Sequence, residues 1–291
     1  MPSRLRVHTA LFAVAFFFSL NYLISKLGMR AFAPLVFAWL RVVGSAIVLA
    51  LVVRYDSTPP LAGRDAKRVT LFSLLGVVFN QTLFLGGLAL TSVHVAAILI
   101  TTIPVFALAA AIALGRERAT ANKIGGIALA AAGALLVVGG EGFHGTARSL
   151  LGAVMIVGNC LCYALYLVLS KPDMARLSPR RVVAWMFGMG ALLMLPISAW
   201  SLAHQQWRTI PPSAWLALAL VIAGPTVGAY LINAWTLRHA ESSVVAAYTY
   251  VQPVLATILG ALFLGETMHA TLILAAAMIF AGVWLAGRGN S

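Results

Sequence analysis

Apolar residues fill most of the chain in long runs, and polar residues separate the runs at short intervals. Ten runs of about 18 to 24 mostly apolar residues can be marked, and each is long enough to cross a hydrocarbon core of about 30 Å as a helix. Their approximate bounds are 8–28, 34–53, 69–90, 93–114, 122–139, 149–170, 181–203, 213–236, 241–264 and 269–287. The pattern predicts an all-α integral membrane protein with ten transmembrane helices.

Two of these runs are near copies of each other. Residues 92–117 and 241–266 each open with polar residues, carry a central proline (Pro104, Pro253) and end on a glutamate (Glu117, Glu266) 13 residues after it. Further matches at offsets of 145 to 149 are Gly133 with Gly282, Ser25 with Ser170, Lys26 with Lys171 and Trp39 with Trp185. The repetition predicts two domains of five spans each, residues 1–140 and 149–288.

Composition and charge placement extend this interpretation. The chain is 62% hydrophobic and 9% charged with a mean hydropathy of +0.96, whereas soluble domains carry about 25% charged residues. If the N-terminus is cytoplasmic, fifteen of the twenty Lys and Arg residues fall on the cytoplasmic side, so the net charge of +13 reflects membrane topology and not nucleic-acid binding. Both termini are then expected in the cytoplasm.

An odd number of spans in each half has a geometric consequence. The second half enters the membrane from the opposite side, so the two five-helix repeats are inverted around a central cavity. Inverted repeats are a common plan of carriers that alternate access to a site at the membrane midplane.

Two local features of the chain are expected to be structural. Arg4 and Arg6 precede the first run as in a signal sequence, but no small-x-small cleavage pattern precedes Asn21, so we expect the first helix to be retained. Cys160 and Cys162 lie two apart in one span and point to different faces, so we do not expect them to pair.

Polar and aromatic side chains recur at membrane depth in both halves. Such groups are costly in lipid unless they face protein or a water-filled cavity, so we expect them to bind a small-molecule substrate between the halves. The alternative is that they only form interhelical hydrogen bonds. The candidates are Asn21, Gln81, Asn159, Tyr163, Tyr230, Asn233, Tyr248 and Gln252.

Arg41 joins these candidates as the only charge more than one turn inside a predicted span. Counted from Pro34 it lies roughly 10 Å deep at about 1.5 Å per residue. Its side chain is expected either to snorkel outward or to bind a carboxylate.

The two central prolines are candidate hinges. Each lacks an N–H, so the carbonyls of Ile100 (for Pro104) and Thr249 (for Pro253) are expected to lose their helical partners. A kink with a free carbonyl indicates a hinge, a ligand contact or both, and the alternative is a static kink.

Glu117 and Glu266 follow these helices on opposite sides of the membrane. We expect them to be gate or interfacial residues, paired with Arg116 or Arg118 and with a neighbouring loop.

Several classes of site are missing from the sequence. All seven acids and all six histidines lie in loops or near helix ends, so the predicted spans contain no interior carboxylate, metal cluster or paired base and nucleophile. No phosphate-binding GK[ST] loop is present. We therefore expect no catalytic residues, no metal and no cofactor, and the lack of an intramembrane acid disfavours an antiporter of cationic drugs.

Several short motifs, in this order and duplicated, are specific in combination. They are Pro34 with Phe37, Ala38, Leu40 and Arg41; Ala89 through Ser92 leading to Ala97; Pro104 through Glu117; Gly125 through Gly133; Pro253 through Glu266; and Gly282. With these motifs the chain resembles, over essentially its full length, the EamA family of the drug/metabolite transporter superfamily. The resemblance implies a bacterial inner-membrane exporter of small metabolites, often amino acids. Asn21 and Tyr22 replace a tryptophan-containing motif that many relatives carry in the first helix.

Three functional hypotheses follow. The first is a secondary transporter exporting amino acids, with apolar or aromatic side chains fitting the Tyr and Phe walls. The second is efflux of drugs or other xenobiotics, and the third is a membrane scaffold without transport. The expected partners are the lipid bilayer and a small molecule, and a monomer suffices because one chain contains both orientations, although a homodimer is compatible with the pattern.

Overall fold

The computed structural model describes residues 3–61, 63–91, 93–139 and 147–264, together with 273–274, 277–278, 280–282 and 284–285. Helices fill most of this part of the chain, and no strand occurs within it. The α-helices are α1 (Arg4–Gly28), α2 (Pro34–Arg54), α3 (Gly63–Ser73), α4 (Asn80–Leu90), α5 (Val93–Leu99), α6 (Ile103–Ala113), α7 (Ala121–Gly139), α8 (Ala147–Arg176), α9 (Pro179–Ala203), α10 (Pro212–Val221), α11 (Ala229–His239), α12 (Ser242–Ala247) and α13 (Val251–Leu264). The predicted tenth span lies mostly outside the described residues, and so does Glu266.

Six helical stretches within the described ranges are long and apolar enough to cross a membrane. They are Arg4–Gly28, Pro34–Arg54, Gly63–Leu90, Leu150–Arg176, Pro179–Ala203 and Pro212–His239. They coincide with the first, second, third, sixth, seventh and eighth predicted spans, although α8 continues to Arg176 where the apolar pattern ends near residue 170. The all-helical membrane class is confirmed, and the inverted arrangement of ten spans stays a prediction.

A short 3-10 turn at Trp207–Thr209 lies between α9 and α10, and four further departures from α-helical geometry in the described residues occur in two matching pairs. A π-helical turn at Leu74–Phe79 joins α3 to α4, and another at Ile222–Gly228 joins α10 to α11. A 3-10 turn at Ile100–Thr102 joins α5 to α6, and another at Tyr248–Tyr250 joins α12 to α13. The second member of each pair starts 148 residues after the first.

The 3-10 turns correct one expectation about the central prolines. The carbonyl of Ile100 accepts the N–H of Ile103, and the carbonyl of Thr249 shares the N–H of Val251 with the carbonyl of Tyr248. The prediction that these carbonyls are left free is therefore wrong, because the tighter turn supplies a donor in place of the missing proline N–H.

Helices from the two predicted halves pack mainly across the boundary between those halves. α2 packs along α9, α1 packs against α10, α11 and α13, and α8 packs against α4 and α6. The contacts are reciprocal, because the first long helix of each half inserts among the later helices of the other half. A cavity at this boundary is therefore lined by both halves.

One close helix crossing in this packing uses two glycines. A Cβ added to Gly87 in α4 would lie 2.8 Å from the carbonyl oxygen of Gly152 in α8, and one added to Gly152 would lie 3.0 Å from the carbonyl oxygen of Gly87. Backbone-to-backbone contact of this kind is the usual role of small residues at interfaces between membrane helices.

This crossing gives a stability prediction. Gly87→Ala forces α4 and α8 apart and is expected to destabilise the protein by about 1–3 kcal/mol, although alanine is the better helix former. Gly188→Ala in α9 is the matched control, because a Cβ there meets no atom within 4 Å. Thermal unfolding in detergent should show a lower midpoint for Gly87→Ala and an unchanged or higher one for Gly188→Ala. Equal midpoints would contradict this account of the crossing.

Candidate functional site

A cavity lies between the two predicted halves, bordered by α1, α2, α4, α8, the starts of α6, α11 and α13, and the 3-10 turns at Ile100–Thr102 and Tyr248–Tyr250. It offers about 50 Å³ to the centres of water-sized molecules, which is room for a few waters or a small chemical group. Seven of the nine predicted substrate-binding residues line it. They are Asn21, Arg41, Gln81, Asn159, Tyr163, Tyr230 and Gln252.

The other two predicted residues lie outside the lining. Asn233 is buried behind the wall, where its Nδ2 donates to the hydroxyl of Tyr163 over 3.1 Å. Tyr248 points away from the cavity and its hydroxyl lies 2.5 Å from Nδ1 of His8. Asn233 therefore orients a lining residue, and Tyr248 joins the start of α1 to the 3-10 turn before α13.

Arg41 is the one charged side chain among the cavity-lining residues. It is 1% exposed, and both of its side-chain partners are neutral oxygens. Nε donates to Oγ1 of Thr226 over 2.6 Å, and Nη1 donates to Oδ1 of Asn21 over 2.9 Å. The guanidinium therefore does not snorkel, and no carboxylate of the described residues lines the cavity beside it.

The π-helical turn at Ile222–Gly228 positions Arg41. Pro225 has no N–H, so the carbonyl of Val221 four residues earlier loses its α-helical donor. The hydroxyl of Thr226 donates to that carbonyl over 2.7 Å, and its oxygen then accepts the hydrogen bond from Arg41. A backbone defect in one half thus holds a charged side chain from the other half.

The π-helical turn at Leu74–Phe79 positions a second pair of side chains, Tyr230 and Gln81. At its end the N–H of Asn80 donates to Val77 and not to the carbonyl of Gly76, as it would in an α-helix. The hydroxyl of Tyr230 lies 2.8 Å from the Gly76 carbonyl, and Nε2 of Gln81 lies 3.3 Å from the same hydroxyl.

Further hydrogen bonds cross the cavity between the halves. The hydroxyl of Tyr22 donates to Oε1 of Gln252 over 3.2 Å, and Nδ2 of Asn159 donates to the carbonyl of Asn80 over 2.9 Å. These bonds leave part of each amide committed to the wall, so the polar cavity groups are held in fixed orientations.

Aromatic rings form the apolar part of the wall. Phe18 stands edge to face with Tyr163 and with Tyr230, at ring-centroid distances of 6.2 and 6.3 Å. Tyr22 packs in the same manner against Phe84 at 5.6 Å. The cavity therefore combines one cation, several amides and an aromatic lining.

A charged cluster closes one end of the molecule near α12, and we call it the Glu117 cluster. It contains Glu117 and Lys123 from the first predicted half and Glu241 and Ser243 from the second. Nζ of Lys123 lies 3.3 Å from Oε2 of Glu117 and also contacts Glu241, and Glu117 accepts hydrogen bonds from the N–H and hydroxyl of Ser243.

Burial makes the core of the Glu117 cluster energetically important. The side chains of Lys123 and Glu117 are only 4% and 3% exposed. Glu117 pairs with Lys123, so the predicted pairing with Arg116 or Arg118 is wrong. Arg116 instead donates to the carbonyl of Val168 in α8.

Pro104 and Pro253 are both buried beside the 3-10 turns. Pro104 lies three residues after Thr101, and Pro253 directly follows Gln252. The two 3-10 turns contribute Ile100 and Thr249 to the cavity wall. Their predicted action as hinges stays a prediction.

Two residues that matter in the structure were absent from the predicted set. Thr226 holds Arg41, and Tyr22 links α1 to Gln252. The rule that a proline frees the carbonyl four residues before it, applied to Pro225, would have indicated a need for the Thr226 hydroxyl. Tyr22 offered no comparable signal.

The Thr226 arrangement gives a testable prediction. Thr226→Val keeps the side-chain shape but leaves both the Val221 carbonyl and Nε of Arg41 without this partner, so we expect a loss of about 1–3 kcal/mol. Thr236→Val is the matched control, since Thr236 is also fully buried but its hydroxyl bonds only the carbonyl of Asn233 in its own helix. Thermal unfolding should place Thr226→Val clearly below Thr236→Val, and equal midpoints would argue against the role assigned to Thr226.

Comparison with solved structures shows the fold. A crystal structure with 18% sequence identity superposes with a TM-score of 0.80 and covers 99% of this chain and 100% of its own.

Sequence comparisons identify the family. The chain is similar to the uncharacterized inner membrane transporter YedA of Escherichia coli K12, at 25% identity over 97% of this chain and 90% of that protein. It is also similar to an uncharacterized transporter of Archaeoglobus fulgidus, at 24% identity over 91% of each, and to the protein WALLS ARE THIN 1 of Arabidopsis thaliana, at 24% over 100% and 85%. The sequence profile of the EamA-like transporter family matches residues 5–139 and again residues 150–288. The chain belongs to the EamA-like transporter family.

Proposed function

We propose that this protein is a secondary transporter of the inner membrane that exports amino acids with apolar or aromatic side chains by alternating access. Family membership supports a transport role in a multi-pass membrane protein. The substrate class and the direction are our inference from the cavity and from the charge distribution of the chain.

The observation that carries the substrate assignment is the buried guanidinium of Arg41. A desolvated cation with only neutral partners is costly, and a bound carboxylate would lower that cost through charge-assisted hydrogen bonds. A substrate carboxylate is the group that this position best accommodates. The rings of Phe18, Tyr163 and Tyr22 line the cavity and favour an apolar or aromatic side chain. Because the cavity of this structure holds only a small chemical group, the proposal requires it to widen when the protein opens to admit substrate.

The proposed architecture is a bundle of ten helices formed by two inverted five-helix repeats. The paired π-helical and 3-10 turns and the reciprocal packing of α1 and α8 support it. The excess of Lys and Arg on one side supports cytoplasmic termini. A monomer contains both orientations and is sufficient for transport, although a homodimer is compatible with this architecture.

Alternating access requires a closure at each end of the cavity. In the proposed topology the Glu117 cluster lies on the cytoplasmic side, where it joins residues of both halves. We propose that this cluster is the cytoplasmic gate, closed in this structure, and that the turns at Pro104 and Pro253 bend when it opens. Glu266 is the proposed counterpart of Glu117 on the opposite side.

Efflux of drugs or other xenobiotics is the second candidate, because the aromatic wall would also accept planar apolar compounds. The charge of Arg41 favours acids over the cationic compounds that many efflux proteins carry. A scaffold without transport gains no support from a cavity with a buried charge.

Counterflow tests the proposed function directly. Purified protein in proteoliposomes preloaded with single unlabelled amino acids should accumulate labelled phenylalanine faster than protein-free liposomes, and a pH gradient should show whether protons are coupled. Accumulation of a dye or drug with no exchange of any amino acid would replace the proposal with the efflux hypothesis.

Arg41→Gln provides the matching residue test. Loss of the guanidinium should lower the apparent affinity for phenylalanine by about tenfold or more, because a charge-assisted hydrogen bond to the carboxylate disappears. Arg30→Gln is the control, since it removes an exposed positive charge outside the predicted spans. Equal losses in both variants would exclude Arg41 as the carboxylate-binding residue.

The gate predicts a change in accessibility. Ser242 is 1% exposed behind the Glu117 cluster, so Ser242→Cys in a chain with Cys160→Ala and Cys162→Ala reports opening through maleimide labelling in inside-out vesicles. Glu117→Gln breaks the ion pair with Lys123 and should raise the labelling rate several-fold. Asp65→Asn, which breaks the more exposed pair with Arg176, should leave the rate unchanged. An unchanged rate in Glu117→Gln would contradict the gate.

A further inference from the structure

We propose that Gln81 is the specificity-determining residue for the amino group of the substrate, through its side-chain oxygen Oε1. The inference rests on the proposed function, because it assumes a substrate carboxylate at Arg41. It assigns a role to a buried acceptor that has no partner in the structure.

The orientation of the Gln81 amide follows from the hydrogen of the Tyr230 hydroxyl. That hydroxyl has a single hydrogen and lies 2.8 Å from the carbonyl oxygen of Gly76, which can only accept, and 3.1 Å from Oδ1 of Asn80. With its hydrogen donated to an oxygen, Tyr230 can only accept from Gln81. Nε2 of Gln81 is therefore the atom that faces Tyr230, at 3.3 Å, and Oε1 is the free end of the amide.

The free oxygen lies in a setting where a missing partner is costly. Gln81 is 2% exposed, it lines the cavity, and its Oε1 is buried without a hydrogen bond. Buried acceptors in folded proteins are nearly always paired, so an unpaired one on a cavity wall indicates a donor that arrives with a ligand.

The position of Gln81 relative to Arg41 indicates that the substrate group donating to Oε1 lies close to the substrate carboxylate. Arg41 is held by Thr226, and Gln81 is held by Tyr230, four residues further along the same helical stretch. Residues at that spacing lie on one helix face roughly one turn apart. The guanidinium and the amide are thus anchored roughly one helical turn apart, and an α-amino acid, whose ammonium lies beside its carboxylate, is the compact pair of groups that we propose binds both.

The chemistry of the acceptor also suits an ammonium group beside a guanidinium. A carboxylate at position 81 would pair with Arg41 and cancel the charge that attracts the substrate. A neutral amide oxygen accepts a charge-assisted hydrogen bond from the ammonium and leaves Arg41 available to the carboxylate.

Discrimination between phenylalanine and hydrocinnamate, which is phenylalanine without its amino group, tests the proposal. The two compounds are compared as unlabelled competitors of labelled phenylalanine binding to the purified full-length protein, and as counterflow substrates in proteoliposomes. The wild-type protein should bind phenylalanine at least about tenfold more tightly than hydrocinnamate, because hydrocinnamate leaves Oε1 of Gln81 unpaired.

Substitutions then assign the discrimination to Gln81. Gln81→Leu should bring the affinity ratio close to one, mainly by weakening phenylalanine, and Tyr230→Phe should lower the ratio by releasing the amide to rotate. Thr82→Val is the matched control. Thr82 lies in the same helix and its hydroxyl is also buried without a hydrogen bond, but Thr82 does not line the cavity. This control should retain the wild-type ratio, and size-exclusion chromatography checks that each variant is folded.

The outcomes separate this inference from the proposed function. Phenylalanine counterflow with an unchanged ratio in Gln81→Leu and Tyr230→Phe would overturn the role of Gln81 and leave amino acid export standing. A wild-type protein that does not distinguish the two compounds would also overturn it. Absence of any amino acid binding or exchange would overturn both.

Discussion

In a hydrocarbon environment each backbone N–H and C=O group needs a partner within the protein, and the cavity of this protein is organised by the places where the α-helical pattern fails to supply one. At Val221 the donor is removed by Pro225, and at Gly76 it is diverted into a π-helical turn. The hydroxyls of Thr226 and Tyr230 donate to these carbonyls. Each hydroxyl then holds a second polar side chain, so the backbone defects determine where the polar groups of the cavity stand.

The charge of Arg41 gives this arrangement its functional meaning. A buried guanidinium can be stabilised by a carboxylate or by several neutral oxygens, and here Thr226 and Asn21 supply neutral oxygens. Neutral partners orient the group without cancelling its charge, so an arriving anion still gains from binding. A protein carboxylate in the same place would have formed an internal ion pair with Arg41 and reduced the free energy gained by binding an anion.

In the Glu117 cluster, unlike at Arg41, the buried cation is paired with carboxylates. Lys123 has two carboxylate partners, Glu117 and Glu241, and these come from different halves of the chain. A buried pair is strongly favoured while intact and leaves an uncompensated charge when its partners separate, which makes the cluster behave as a two-state contact and not as a deformable one. In the proposed transport cycle the uncompensated cation at the cavity serves substrate binding, and the compensated one at the end of the bundle serves closure.

The sequence by itself determined the membrane class, most helix bounds and seven of the residues that line the cavity. Hydropathy over twenty residues and the cost of polar groups in lipid are local properties, so Asn21, Gln81 and Arg41 could be recognised without any contact information. Partners could not. The pairing of Glu117 with Lys123, the 3-10 turn that satisfies Ile100 beside Pro104, and the position of Tyr248 away from the cavity depend on which helices lie side by side. Only the tertiary structure decided them, because hydrogen bonds act over about 3 Å and join residues that are far apart along the chain.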